Sequence, residues 1–470
     1  MSWESERVPK PRGRHAAPRP DQVGRALRRA LVATVVPGLV LLLGLLIFVG
    51  GTSTNYKARL ATTPDFYTIA AVSIALVGLV WVGFICLTYL KHRSPSASGT
   101  ARFVGAASVL VMCGAVATPL ALSGKYVVDG RGIFAATGEK SATTPKVTVK
   151  NPWAGRERVN VLLLGGDGAI HRPGVRTDSV LLASISTKTG KTILFSLPRN
   201  LQNVPFQAGT KLAAEYPNGF TDGVPNNAEY FLNAVYRNIP AKYPADFLGE
   251  TDNLGADAVK LAVSGALGVP VDYYVMVNLA GFSKLVDAIG GITVNINEPI
   301  PIGGNTDAHI LPDSYLQPGP NQRLDGFNAL WYTRGRFGST DYKRMERQRC
   351  AINAIVAEAK PLTLLQNFSE IAKTIKNIYR TDIPTKLLPA FAELAVKMKG
   401  KEIKSVGFER TADFDPNAPD FDYVHATVQK ALNPTKKPAT TSTTVKKPKK
   451  ATNTKDDCAY VPVDSTATTP

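Results

Sequence analysis

The side chains most able to do chemistry are a few carboxylates set among arginines. Asp167 closes the run "LLLGGDG", and Asp178 opens "DSV" two residues after Arg176. Both fall at strand ends, where open α/β sheets place ligand sites. A pair of acids with few other protein ligands suits Mg²⁺, which keeps several waters and completes its shell with phosphate oxygens. Taken singly, each acid reads as well as a turn residue or a strand cap. Arg199 follows an apolar run in "SLPRN", and Arg334 and Arg336 stand two apart in "WYTRGRFGSTD". An extended backbone would point that pair to one face, and the planar guanidinium fork fits phosphate bidentately. Beyond Asp341 the apolar residues Ile352, Ile355, Val356 and Ala359 recur at helical spacing, and the stripe extrapolates backward onto Gln348 and Arg344. Polar groups therefore occupy positions where core residues belong. With Arg347 they turn inward from the helix start, and desolvated arginines need anionic partners.

The elements that must position these groups alternate between strand and helix. "NVLLLGGD", "DSVLLASIS" and "KTILFSLPRN" predict strands, with a hairpin turn over Thr187 to Lys191. "YYVMVN" and "GITVNI" predict strands flanking a helix in which Phe282, Leu285, Val286 and Ile289 recur before Gly-Gly. The region from Asp341 to about Lys399 is expected to be mostly helical, with helix starts at Pro361 and Pro384. The expected architecture is α/β, a three-layer α-β-α sandwich around a mixed sheet over residues 159–432. Residues 125–158 read as an extracytoplasmic stalk. The Thr, Lys and Pro-rich 433–470 reads as a disordered tail containing Cys458.

Three charge-free stretches, at about 31–51, 68–90 and 103–123, are each long enough to cross a bilayer, so three transmembrane helices are expected ahead of the domain. Eight basic residues in the leader 1–29 against Lys57 and Arg59 in the next loop put the N-terminus in the cytoplasm and the domain outside. Much of the formal charge of +18 lies in that leader and in the tail, which favours a topology signal over nucleic-acid binding. Cys350 and Cys458 are then the two exported cysteines and are expected to pair. The histidines show no metal spacing, and no Gly-X-Ser-X-Gly elbow is present.

In order along the chain, "NVLLLGGD", "RTDS", "SLPRN", "VDYYVMVNLAGFSKLVDAIGGI" and "YTRGRFGSTDYKRMERQR" resemble the signature elements of the LytR-CpsA-Psr family, in its actinobacterial form with three N-terminal spans. The resemblance implies a Mg²⁺-dependent phosphotransferase on the cell membrane. It would move a teichoic acid, capsule or arabinogalactan type polymer from a polyprenyl pyrophosphate carrier to peptidoglycan, forming a phosphodiester. By position it implies Asp167 and Asp178 as metal ligands and Arg176, Arg199, Arg347 and Gln348 as pyrophosphate binders. Catalytic roles fall to Arg334, Arg336, Asp341 and Arg344, with Asp341 orienting the arginines or assisting proton removal. Three positions depart from the pattern: Asn200 stands for Asp, Ser179 for Thr, and "KLAAEYPNGF" lacks the Asn after its Lys-Leu pair. The rival readings are a hydrolase of the same lipid-linked donor, a transcriptional regulator or attenuator, and an interaction protein without chemistry. The export argument opposes the regulator.

Overall fold

The structure is a computed structural model and describes residues 21–53, 56, 64–92, 98–134, 138–166, 176–306, 308–358, 379–434, 452–453 and 457–461, without every side chain of the N-terminal helices. The chain forms two compact units. One holds Met1–Ser53 and Asp65–Val128, and the other holds Asp129–Pro470 with the stretch Thr54–Pro64.

The first unit contains helices α1 (Asp21–Gly51), α2 (Pro64–His92) and α3 (Gly99–Phe134). Among the described residues, two stretches are long and apolar enough to cross a membrane, Thr68–Lys91 and Gly99–Leu122, each of 24 residues. At 1.5 Å per residue such a stretch reaches about 36 Å, against roughly 30 Å of hydrocarbon. The third expected span lies within α1, where several side chains fall outside the described residues. Ile85, Val109 and Val116 form a buried seam between α2 and α3, while Leu79, Val80, Leu110 and Val111 face outward.

In the second unit the main sheet is built from β1 (Arg158–Gly166), β2 (Thr177–Ser186), β3 (Thr192–Leu197) and β4 (Tyr273–Asn278). Further strands are β5 (Ile292–Ile296), β6 (Ile300–Asn305), β7 (Ile310–Leu316), β8 (Gly319–Leu324), β9 (Tyr379–Thr381), β10 (Ile403–Gly407) and β11 (Thr452–Asn453). The sheet order is β11-β10-β3-β2-β1-β4-β9. β1 pairs with β4 in parallel, as does β3 with β10, and the other neighbours are antiparallel, so the sheet is mixed as expected. The helices of this unit are α4 (Lys211–Glu215), α5 (Val235–Lys242), α6 (Leu254–Leu267), α7 (Leu279–Ala288), α8 (Gly326–Arg334), α9 (Asp341–Glu358), α10 (Leu388–Met398) and α11 (Phe421–Leu432). Strand alternation sends Leu162, Leu164, Leu182 and Phe195 into one core with α6 and α11. Val161, Ala183, Leu194 and Tyr273 enter the opposite core with α10 and one side of α9.

β5 leaves the main sheet and pairs with β8, because Gly290 and Gly291 take φ of 87° and 94° and turn the chain away. A Cβ at Gly291 would stand 2.6 Å from the Leu324 carbonyl oxygen. One expectation needs correction: the supposed stalk is not a free linker. α3 runs on to Phe134, and from residue 138 the chain is bound into the domain. There Lys260 and Asp382 pair at 2.5 Å, both fully buried, and Thr144 bonds to Asp382. Ser141 and Thr143 donate to Asp257 at 2.5 and 2.8 Å, and Glu139 N–H donates to the Thr381 carbonyl at 2.9 Å. The hydroxyl-rich composition that imitates a linker satisfies buried charges. The described residues of the tail are tethered: β11 pairs with β10, Cys350 is bonded to Cys458, and Asn295 and Asn297 donate to the carbonyls of Cys458 and Ala459. The helix start expected at Pro361 lies outside the described residues, whereas Pro384 does precede a helical turn leading into α10.

Candidate active site

Strand pairing brings the first groups together. β1 ends at Gly166 beside Thr177, which sets Asp178 and Ser179 at the first residues of the central strand β2, and Arg199 follows β3 two residues after its end. The Arg199 guanidinium donates to Asp178 Oδ1 at 2.9 Å through NH1 and to Asp341 Oδ2 at 2.8 Å through Nε. Asp341 opens α9 and also accepts from Arg336 at 3.0 Å, while Arg344 NH1 lies 3.6 Å away. Arg344, 5% exposed, donates to the Asp178 carbonyl at 3.0 Å. Gln348, one turn on, donates to Ser179 Oγ at 2.7 Å and to the Thr333 carbonyl at 3.3 Å.

These contacts fix the charges. Burial pushes the Asp178 carboxyl upward, but Arg199, the Asn233 amide and Arg344 outweigh it and hold it below the usual range. Asp341 behaves alike: burial opposes ionisation, and Arg344, Arg199 and Arg336 overcome it. Arg344 is pulled down to about 10, first by burial and then by Arg199 and Arg336, against the pull of Asp341 and Asp178. It remains cationic at neutral pH. Arg199 is raised: burial opposes its charge, and the two carboxylates outweigh that burial.

Asp178, Ser179, Arg199, Arg334, Arg336, Arg344 and Gln348 line one cavity of about 780 Å³. Among the described residues, four guanidiniums at that wall face one carboxylate in it, and Asp341 braces three of them from behind. The surplus of positive charge makes this an anion site. An apolar stretch of the wall is made by Leu163, Val275, Phe282, Leu285, Ile352, Ile355 and Val356, beside the polar Asn278, Asn305 and Thr306. The gradient follows α9: Ile355 lies about 16 Å along the helix from Arg344. The stripe that resembled a core stripe thus lines a cavity of the size and composition of a ligand site.

Not every expected site residue converges. Asp167 and Ala359 lie outside the described residues. Arg176 does not line the cavity; it pairs with Glu229 at 2.6 Å, and Arg237 pairs with the same carboxylate. Arg347 is buried but serves the backbone, donating to the carbonyls of Tyr332, at 2.7 Å, and Gly335, with Glu298 3.6 Å away. It fastens the connection that carries Arg336. Arg334 and Arg336 do share the cavity, but not through an extended backbone: Arg334 ends α8, its guanidinium 5.4 Å from the Trp331 ring centre, and Arg336 follows in the loop.

The sequence reading missed Asn233, whose amide donates to Asp178 Oδ1 at 3.2 Å. The Asn sought after the Lys-Leu pair at 211–212 arrives instead from "FLNA". That Leu-Asn-Ala string was the available signal. Asn200 does not orient Arg199, which Asp178 and Asp341 hold; its buried Oδ1 has no hydrogen-bond partner.

A mixed α/β sheet with an arginine-walled, apolar-floored cavity at its strand ends defines an anion-binding domain of the phosphate-handling kind. The chain belongs to the LytR_cpsA_psr family, whose profile matches residues 127–437. It is similar to the polyisoprenyl-teichoic acid–peptidoglycan teichoic acid transferase TagU of Enterococcus faecalis, 27% identical over 263 residues that cover 54% of this chain and 72% of that protein. With TagU of Oceanobacillus iheyensis it shares 29% identity over 232 residues, 48% of this chain and 60% of that one. Among solved structures, TagV of B. subtilis matches 58% of this chain and 96% of its own, at 22% identity and a TM-score of 0.40.

Proposed function

We propose that this protein is a membrane-anchored phosphotransferase that moves a glycopolymer from a polyprenyl pyrophosphate carrier to a peptidoglycan hydroxyl. The observation that carries this reading is the polarity gradient along α9, which offers guanidiniums to a diphosphate and an apolar wall to a prenyl chain in one cavity. The TagU relatives, named for transfer of polyisoprenyl-linked teichoic acid to peptidoglycan, support the same reading. The acceptor oxygen forms a bond to the polymer-side phosphorus, the bond from that phosphorus to the bridging oxygen breaks, polyprenyl phosphate leaves, and the acceptor hydroxyl's proton passes to water or to the leaving phosphate. Charge spread over the phosphate oxygens is met by Arg199, Arg336 and Arg344, preset by Asp341 before donor arrives.

Asp178 fits a metal ligand, because Arg199 and Asn233 both bond to Oδ1 and Oδ2 takes neither contact. With Asp167 it would hold Mg²⁺, which when bound supplies further neutralisation of the diphosphate. α1 is read as a third span, with the N-terminus cytoplasmic and the catalytic domain outside, as in the three-span actinobacterial members of the family.

Incubating the full chain with a lipid-linked glycan donor, peptidoglycan oligomers and Mg²⁺ tests the proposal by mass spectrometry. A phosphodiester-linked product is expected. Release of polymer phosphate to water at the same rate with and without peptidoglycan would make the protein a hydrolase instead.

A further inference from the structure

The hairpin of β6 and β7 carries apolar side chains where water should be. Ile310 and Leu311 are consecutive in β7 and so point to opposite faces, yet they are 58% and 73% exposed. A hairpin in water hides at least one face. Nearby, Phe327 is 55% exposed at the start of α8. Exposed apolar patches of this kind mark an interaction surface.

Where the patch lies decides what covers it. Ile310 pairs with Asn305, and Asn305 lines the cavity. Phe327 packs edge-on against Trp331, ring centres 6.4 Å apart, and Trp331 lines the cavity as well. Leu285 belongs to both surfaces, since it lines the cavity and is itself exposed. Apolar surface therefore runs from the cavity wall onto its rim. The same chain holds two helices long and apolar enough to cross a membrane. Exposed Lys284 and Arg334 flank the rim, as suits anionic headgroups, and half-exposed Tyr315 is of the type enriched at the membrane interface. Exposed Asp313 stands in the same strand as Leu311, so contact is shallow.

We propose that this rim, the β6–β7 hairpin with the exposed faces of α7 and α8, rests on the lipid surface of the membrane and lets a polyprenyl chain pass from bilayer to cavity without crossing water. This deepens the proposed function and rests on it for the identity of the cargo.

The full chain in lipid nanodiscs tests it, with Cys86→Ala and Cys113→Ala removing the free thiols. Spin labels are placed at Leu311→Cys and Phe327→Cys, and at Val224→Cys, a residue 59% exposed away from the cavity wall, as a control. Labels at 311 and 327 should be relaxed more by oxygen than by a water-soluble nickel chelate, with the reverse at 224. Labels relaxed like the control overturn the proposal. Labels shielded from both reagents overturn it too, in favour of a protein partner such as a second copy. The double variant Ile310→Ser/Leu311→Ser should raise KM several-fold for a long-chain donor in the bilayer with kcat unchanged, and should change neither for a short-chain donor in solution. Equal loss with both donors would refute the lipid route. A wild-type chain that transfers neither donor refutes the proposed function, while the spin labels still decide the lipid contact.

Discussion

Asp341 shows how little of this site is reagent and how much is alignment. It meets three guanidiniums, from Arg199, Arg336 and Arg344, and does not itself line the cavity. Arg336→Ala should abolish polymer transfer and leave the thermal midpoint nearly unchanged, because its side chain is 41% exposed and its charge serves bound phosphate more than the empty fold. Wild-type transfer by the folded variant would reduce the arginines to a solvated face. Asp341→Asn keeps the shape and removes the charge. The folded pKa of Asp341 lies below its ordinary value, so its stabilising contribution is complete above the unfolded pKa of about 3.9 and is lost as pH falls through the folded one. The stability deficit of Asp341→Asn, read from urea midpoints, should therefore be full at neutral pH and shrink below about pH 4. A deficit independent of pH would show that the contact is not ionic.

At the scale of elements, two fasteners hold pieces that the sequence presents as loose. The segment from residue 138 is held through the buried Lys260–Asp382 pair and the hydroxyls around it. Asp382→Ala should cost about 3–5 kcal/mol, since it strands a buried ammonium, and Lys260→Met/Asp382→Leu should cost less than that single change. Denaturant unfolding of the three variants decides it. The second fastener joins α9, bearer of Arg344 and Gln348, to the C-terminal stretch through Cys350–Cys458, closing 108 residues of sequence. Cys350→Ser/Cys458→Ser should lower stability by about 2–5 kcal/mol and open the segment 457–461 to protease. An unchanged digestion pattern would mean that β11 and the contacts of Asn295 and Asn297 suffice alone.

For the molecule as a whole, topology is the premise under the chemistry, because a peptidoglycan acceptor and a cysteine pair both belong outside the membrane. Reporter fusions after residue 130 should be active only as exported enzymes. Cytoplasmic activity there would remove the acceptor from reach and revive the regulator reading.

The sequence by itself determined the main-sheet strands β1 to β4, the helical stripe of α9, two of the three expected membrane-capable helices and the arginines, because each is a local pattern: a run, a period or a spacing. It also marked the two cysteines that the structure bonds, since few thiols left few choices. Tertiary structure alone decided what those patterns face. Ile352, Ile355 and Val356 line a cavity because its facing wall comes from elsewhere in the chain, Phe282 and Leu285 of α7 and Leu330 and Trp331 of α8. Arg347 and Arg344 stand three residues apart on one helix, yet one feeds backbone carbonyls and the other the cavity, because α8 ends beside the first. Asn233 reaches Asp178 across 55 residues of chain. Periodicity reports that a side chain turns inward; only packing supplies what it meets there, since the partner comes from elsewhere in the sequence.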